Sequence, residues 1–242
     1  MRSTLLFLLS LLSFCASAQI LETKVRDSVK LDSIIPVADP KYREDQMYAS
    51  VAYNMVQSKP GLYSQYSFST ALTVGFLRDM PINKKRTYAI AAGLGYSYNN
   101  IKHNFIVQPI ENGVNSYQPV QEGSFDKNKL VLHYLEVPLE LRWRNSDSIS
   151  HKFWRVYLGV KVSYLFADKT LYKPGDSPPV KVRNDKNLND FVYGAYISAG
   201  WNTWNFYAYY GLTPIYNNAP IVDSDQKLTL KSLNFGLIFY IL

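Results

Sequence analysis

The sequence predicts an all-β protein, an eight-stranded antiparallel transmembrane β-barrel of a bacterial outer membrane. Three observations lead to this prediction. The chain begins with an export signal, eight later segments alternate apolar and polar residues, and all four tryptophans fall on the apolar face of those segments. Alternation with a period of two is typical of strands that face lipid on one side and a polar interior on the other.

The first 18 residues have the three parts of a secretory signal peptide. Arg2 supplies a basic start, residues 5–14 form an apolar run, and small residues lead up to Ala18. We expect cleavage after Ala18; the alternative is a lipoprotein signal that uses Cys15, the only cysteine. Cleavage after Ala18 removes Cys15, so the exported chain would have neither a disulfide nor a cysteine metal site.

The barrel is predicted to cover residues 46–242, after a polar periplasmic lead-in at 19–45. Its eight strands are predicted at 46–57, 65–78, 86–99, 129–144, 152–166, 190–202, 203–213 and 227–242. Pro138 interrupts the fourth strand and predicts a local bulge, because proline has no N–H to donate. The alternation slips near Lys231, which predicts either a bulge or the point where the strand leaves the membrane. An even strand count places both termini in the periplasm.

A soluble two-layer β-sandwich also has alternating strands, and two features favour the barrel over it. The connections alternate in length along the chain. Those at one end of the predicted barrel are short, at 79–85, 145–151 and 202–203. Those at the other end are long, at 100–128, 167–189 and 214–226, with 58–64 as the one short exception on that side. Outer-membrane barrels combine short periplasmic turns with long external loops in this way. The four tryptophans, Trp143, Trp154, Trp201 and Trp204, all lie at the short-turn end on outward positions. They would form an aromatic belt at one membrane interface.

The fourth and fifth strands place charged residues on the lumen face, namely Glu136, Glu140, Arg142, Arg155 and Lys161. Eight strands enclose an interior just wide enough for side chains, and an unpaired charge there is costly. We therefore predict that these residues form a buried ion network. It would act either as a plug that stabilises the barrel or as a gated polar path. Neither interpretation gives a wide pore.

The sequence predicts no catalytic site, cofactor or metal site. The net charge of +7 is attributed to loops and rims near anionic lipid, not to nucleic acid. His103 and His151 fall in predicted connections, and His133 faces outward near the external rim. A lipid-modifying enzyme could use His133 as a base, but no serine nearby shares its outward position. We expect a non-enzymatic protein with no small-molecule substrate and with outer-membrane lipid as its surroundings.

Three segments carry a family resemblance. Residues 76–83 read FLRDMPIN, residues 134–144 read YLEVPLELRWR, and residues 153–161 read FWRVYLGVK. Together they resemble the PorT (SprT) family of small outer-membrane barrels of Bacteroidota. The resemblance extends over roughly residues 46–242 and weakens in the long loops. The chain departs from many barrels at its end, since Ile241 and Leu242 stand where an aromatic residue is usual.

The resemblance implies an accessory or assembly role in the type IX secretion system, which exports cargo across the outer membrane and can support gliding motility. Other secretion-system proteins would then be its partners. An eight-stranded barrel cannot pass a folded protein, which agrees with an accessory role rather than a conduit. The alternative function is a small structural or adhesin-type barrel that binds external ligands through its long loops.

Overall fold

The computed structural model describes residues 45–109, 115–145, 154–222 and 224–241. Its strands are β1 (Gln46–Gln57), β2 (Thr70–Pro81), β3 (Tyr88–Lys102), β4 (Phe105–Pro109), β5 (Asn115–Pro119), β6 (Lys127–Arg144), β7 (Trp154–Lys173), β8 (Val180–Val182), β9 (Phe191–Trp201), β10 (Trp204–Gly211) and β11 (Lys231–Ile241). Over these ranges no helix is long and apolar enough to cross a membrane. The predicted signal peptide, and the lead-in before Asp45, lie outside the described residues.

Eight of the strands form a closed antiparallel barrel. The hydrogen-bonded order is β6-β3-β2-β1-β11-β10-β9-β7, and β7 pairs with β6 to close the ring. Closure pairs every strand on both sides, which is what a sheet needs inside a bilayer. Strands β4 and β5 form a separate hairpin, and β8 pairs with the far end of β7. The predicted fold class, an eight-stranded antiparallel barrel, is confirmed.

The strand ends and the irregularities differ from the prediction. Strand β2 begins at Thr70, five residues later than predicted. Strand β7 continues to Lys173, because its outer part pairs with β6 and β8 beyond the end of its ladder with β9. The bulge predicted at Pro138 is wrong: Pro138 stays in register with Lys161, and only the ladder to β3 skips it. The bulge lies instead at Phe166, where the register between β6 and β7 shifts. At Lys231 the strand simply begins, in regular register with β1.

The apolar and polar faces of the strands are inverted relative to a soluble protein. On β7, Leu158 is 57% exposed, whereas Arg155 on the same strand is 3% exposed. The same alternation of exposed apolar and buried polar residues runs along β6 from Leu135 to Arg144. Large apolar side chains turned outward in continuous bands are typical of a barrel whose solvent is lipid.

The connections at the end opposite the short turns pack on an apolar core of their own. We call these connections the loop-end cap; the described ones cover residues 58–69, 103–109, 115–126, 174–190, 212–222 and 224–230. The core includes Tyr63, Phe105, Val107, Tyr117, Leu188, Ile215, Tyr216, Ile221, Leu228 and Leu230. It continues into the barrel mouth through Val56, Ile101, Leu130, Leu132, Leu165 and Val192. The mouth is thus closed by packed side chains.

Candidate functional site

The middle of the lumen holds a buried ion pair between β6 and β7. The ammonium group of Lys161 lies 2.9 Å from both carboxylate oxygens of Glu136. The same group donates to the hydroxyl of Tyr207 at 3.3 Å and lies 4.3 Å from the ring centre of Tyr209. An ammonium group has three protons to donate. These contacts provide acceptors for all of them, so the charge is compensated where water is scarce.

A second group of charges lies nearer the short turns, and we call it the turn-end cluster: Asp79, Glu140, Arg142 and Arg144. Arg142 Nη1 donates to Asp79 Oδ1 at 3.0 Å, and its Nε donates to Glu140 Oε2 at 2.8 Å. Arg144 binds both oxygens of Asp79, at 3.0 and 2.9 Å. Tyr196 donates its hydroxyl to Glu140 Oε1 at 2.7 Å. Charge-assisted bonds of this forked kind are strong and fix the geometry of the groups that form them.

The structure therefore places the five predicted lumen residues in more than one group. Glu136 lies with Lys161, and Glu140 lies with Arg142. Arg155 is buried as well, with its guanidinium carbon 5.7 Å from the ring centre of Tyr240. The structure thus divides the predicted single ion network into separate groups along the lumen.

Sequence reasoning missed two members of the turn-end cluster. The sequence predicts a second strand that ends at residue 78 and so places Asp79 in a turn, whereas β2 runs to Pro81. Arg144, the last residue of the predicted fourth strand, is not among the residues of the predicted ion network. The inward positions Thr73 and Leu77 lie at even spacing before Asp79, and this parity could have identified the aspartate.

Tyrosine rings fill much of the remaining lumen by lying on glycines. Tyr48 lies against Gly75 and Gly95, and a Cβ atom on either glycine would overlap the ring or its hydroxyl. The same packing sets Tyr196 on Gly159 and Tyr209 on Gly194. A side chain at any of these glycines would therefore collide with a tyrosine ring that fills the lumen.

Little empty space remains around the central ion pair. Two cavities touch both Glu136 and Lys161, and their volumes are about 10 and 20 Å³. Tyr196, Tyr207 and Ile238 line the smaller one. A cavity of this size holds about one water molecule. A hydrated ion does not fit past the pair without a rearrangement of side chains.

The predicted belt tryptophans all lie on the outer wall at the short-turn end. Trp143, Trp154, Trp201 and Trp204 are between 40% and 65% exposed. Trp201 is the cross-strand partner of both Trp154 and Trp204, so three of the rings form a row across β7, β9 and β10. An amphipathic indole favours the interface between hydrocarbon and headgroups, as the sequence prediction proposed for this level.

The histidines occupy different environments. On the outer wall, His133 Nδ1 lies 2.7 Å from the hydroxyl of Tyr96, and the other rings around it are Tyr98 and Phe166. His103 is buried in the loop-end cap, where burial lowers its pKa to about 4. His151 lies outside the described residues. In the described ranges no three potential metal ligands come together.

Comparison with known proteins provides a family. Residues 23–217 match the family model described as the outer membrane protein beta-barrel domain. No curated protein matches the chain. Among solved structures, Ail, the attachment invasion locus protein of Yersinia pestis, aligns at 10% identity with a TM-score of 0.37, over 81% of this chain and 97% of that chain. That likeness is too low to bear on function. The family match covers most of the chain, and this protein therefore belongs to the outer membrane protein beta-barrel domain family, located in the outer membrane.

Proposed function

We propose that this chain is a small, non-conducting barrel of the adhesin or structural type that binds an external partner through its loop-end cap. One observation carries the proposal, namely that the cap is folded rather than a set of independent loops. Tyr117 donates its hydroxyl to Asp185, and its carbonyl accepts from the backbone N–H of Val222. Asn187 donates its side-chain amide to the carbonyl of Asn115. A surface that is ordered before binding loses less entropy when a partner arrives.

The cap also has a face that can be changed without touching its core. In the β4–β5 hairpin, Phe105, Val107 and Tyr117 are buried. Gln108 and Gln118 are exposed and Ile106 is half-buried, and Ile106 is the cross-strand partner of Gln118. These outward residues can contact a ligand directly. In this proposal the cap faces the cell exterior and both termini face the periplasm, as short periplasmic turns require.

The test compares attachment of cells that display two variants with the same change in charge. Ile106→Glu, Gln108→Glu and Gln118→Glu together alter the outward face of the hairpin. Lys84→Glu with Lys85→Gln makes an equal change at an exposed short turn. We expect only the hairpin variant to lose attachment to immobilised protein or polysaccharide. Equal attachment by both variants and by the wild type would exclude the cap as the binding surface.

A second candidate function is the accessory role in type IX secretion, which rests on the resemblance of three segments to the PorT family. The three segments that resemble the PorT family meet inside the barrel. The first supplies Asp79, the second supplies Glu140 and Arg142, and the third supplies Arg155 and Lys161. Segments distant in sequence thus contribute to one shared interior. Because these side chains are buried, the resemblance supports a common barrel interior, and partner contacts would have to come from the surface.

Deletion of the gene tests the secretion role directly. Loss of extracellular type IX cargo and of surface motility is the expected result, with restoration by the wild-type gene. The hairpin variant separates the two candidate functions. If it loses attachment but still secretes cargo normally, the cap serves adhesion alone. Normal secretion and motility in the deletion strain would remove this candidate.

A further inference from the structure

A cluster of lysines lies on the outer wall of the barrel at its loop end. We call them the rim lysines: Lys102 on β3, Lys127 and Lys129 on β6, Lys169 on β7 and Lys181 on β8. Lys102 is the direct cross-strand partner of Lys129. The partner of Lys129 on its other side is Leu171, which in turn pairs with Lys181. Cross-strand partners and residues two apart share a face of a sheet, so the five side chains point the same way.

This arrangement is unfavourable for the barrel by itself. Like charges placed opposite one another in an antiparallel ladder repel and destabilise the pair. Within the described part of the chain, Asp126, which precedes Lys127, is bound by Lys173 at 2.7 Å, and none of the rim lysines forms an ion pair. Lys102 reaches only the neutral hydroxyl of Ser67, at 3.2 Å. The cluster therefore presents uncompensated positive charge to its surroundings.

The height of the cluster matches that of lipid headgroups. Along β6 the outward positions change from exposed Leu135, through His133 in its group of aromatic rings, to Lys129. Lys129 lies four positions beyond His133, which is roughly 13 Å along a strand and about 10 Å along the membrane normal for a tilted barrel strand. Aromatic girdles mark the edge of the hydrocarbon layer. The flexible lysine stems beyond the girdle can bring their ammonium groups to the phosphate level.

We propose that the rim lysines bind the phosphate groups of anionic lipid in the leaflet at the loop end. A phosphate oxygen is a strong acceptor for an ammonium donor. Directly opposed side chains start about 5 Å apart, so Lys102 and Lys129 can converge on one phosphate. That single contact replaces repulsion between the two lysines by attraction of each to a shared anion. The apolar wall and the aromatic rings below would hold the acyl chains of the same lipid.

The test measures lipid selectivity of the whole barrel refolded into vesicles of phosphatidylcholine with about one fifth phosphatidylglycerol. Electron paramagnetic resonance of spin-labelled phosphatidylglycerol and phosphatidylcholine reports how much of each lipid is held at the protein surface. We expect the wild type to hold the anionic lipid about fivefold more strongly. Lys102→Gln, Lys129→Gln and Lys169→Gln combined should remove most of this preference.

A second triple variant controls for net charge. Lys59→Gln, Lys186→Gln and Lys227→Gln remove the same charge from exposed positions of the cap and should leave the preference intact. Equal retention of both lipids by the wild type would overturn the proposal, as would an equal loss in the two triple variants. The wild type could also bind soluble dextran sulfate through the rim lysines and show no preference for anionic lipid. The ligand would then be a soluble polyanion, and the proposal would fail.

Discussion

Asp79 and Arg144 form a forked pair of hydrogen bonds, at 3.0 and 2.9 Å, between side chains that are both completely buried. The pair joins the end of β2 to the end of β6 across the strand between them. Arg142 shares Asp79 Oδ1, at 3.0 Å. One carboxylate thus compensates two guanidinium groups, and its removal leaves both without this acceptor.

Asp79→Asn is therefore expected to destabilise the barrel by about 3 kcal/mol, because breaking a buried ion pair leaves an uncompensated charge. Unfolding in urea from lipid vesicles, followed by tryptophan fluorescence, measures the change. Asp126→Asn is the matched control, since its pair with Lys173 is about half exposed and should contribute less than about 1 kcal/mol. Comparable small losses in both variants would show that the buried pair contributes no special stability.

The contact between Tyr48 and Gly95 predicts a non-additive pair of substitutions. Gly95→Ala puts a methyl group where the Tyr48 hydroxyl lies, and overpacking of this kind costs about 1–3 kcal/mol. In a Tyr48→Ala background the same change at Gly95 should cost much less, which a double-mutant cycle measures as coupling. Gly175→Ala, in a loop with open space around its Cα, should have little effect. A coupling energy near zero would contradict the packing described for the lumen.

The strand pattern of the barrel could be predicted because lipid imposes it. An outward residue must be apolar through the membrane, so β1 and most of β6 can be found from parity alone. Parity also places Asp79 on the lumen face, in line with Thr73 and Leu77. It does not show that the strand continues as far as Asp79, because this residue lies near the end of the strand, where lipid no longer requires an apolar outer face. The split between the Glu136 and Glu140 groups depends on side-chain direction, which spacing does not determine.

The loop-end cap is the part that sequence reasoning did not foresee. Its core joins residues such as Tyr63, Tyr117 and Ile221 from separate connections. These residues have no common period, because they are held together by tertiary packing and not by a regular strand. The sequence predicts these segments as long loops, which bind external ligands only in the alternative function. A folded cap changes that expectation, since its binding surface is ordered in advance.

The buried His103 predicts that the cap loses stability in acid. Folding lowers its pKa to about 4 by burial, whereas an unfolded histidine takes up a proton near pH 6.5. The unfolded state therefore binds more protons between these values, and stability present above about pH 6.5 is lost as the pH falls towards 4. The full effect is up to about 3 kcal/mol.

Hydrogen exchange of cap amides, measured between pH 7 and pH 4 and corrected for intrinsic rates, tests this prediction. His103→Asn should lose the histidine-dependent part of the pH response, while the general effect of the carboxylates remains in both proteins. His133→Asn is the control, because that ring is half-exposed on the outer wall. A pH response that is the same in wild type and His103→Asn would rule out this histidine as its source.

The opposition of Lys102 and Lys129 predicts a substitution that stabilises the barrel. In a non-ionic detergent at low salt, Lys129→Gln should raise stability by about 0.2–1 kcal/mol, because it removes a like-charge pair. The gain should shrink at about 1 M salt, where charges are screened over a few ångströms. Lys227→Gln on the cap should show no such gain. Lower stability of Lys129→Gln at low salt would mean that the lysine has a favourable partner in the protein.

Single-channel recording in planar bilayers tests the central claim most directly, namely that paired charges and tyrosine rings close the lumen of this outer-membrane barrel. The wild-type protein should insert and give no stable current. Glu136→Gln with Glu140→Gln should lower stability without opening a steady path. A large, steady ion current through the wild-type barrel would contradict the account.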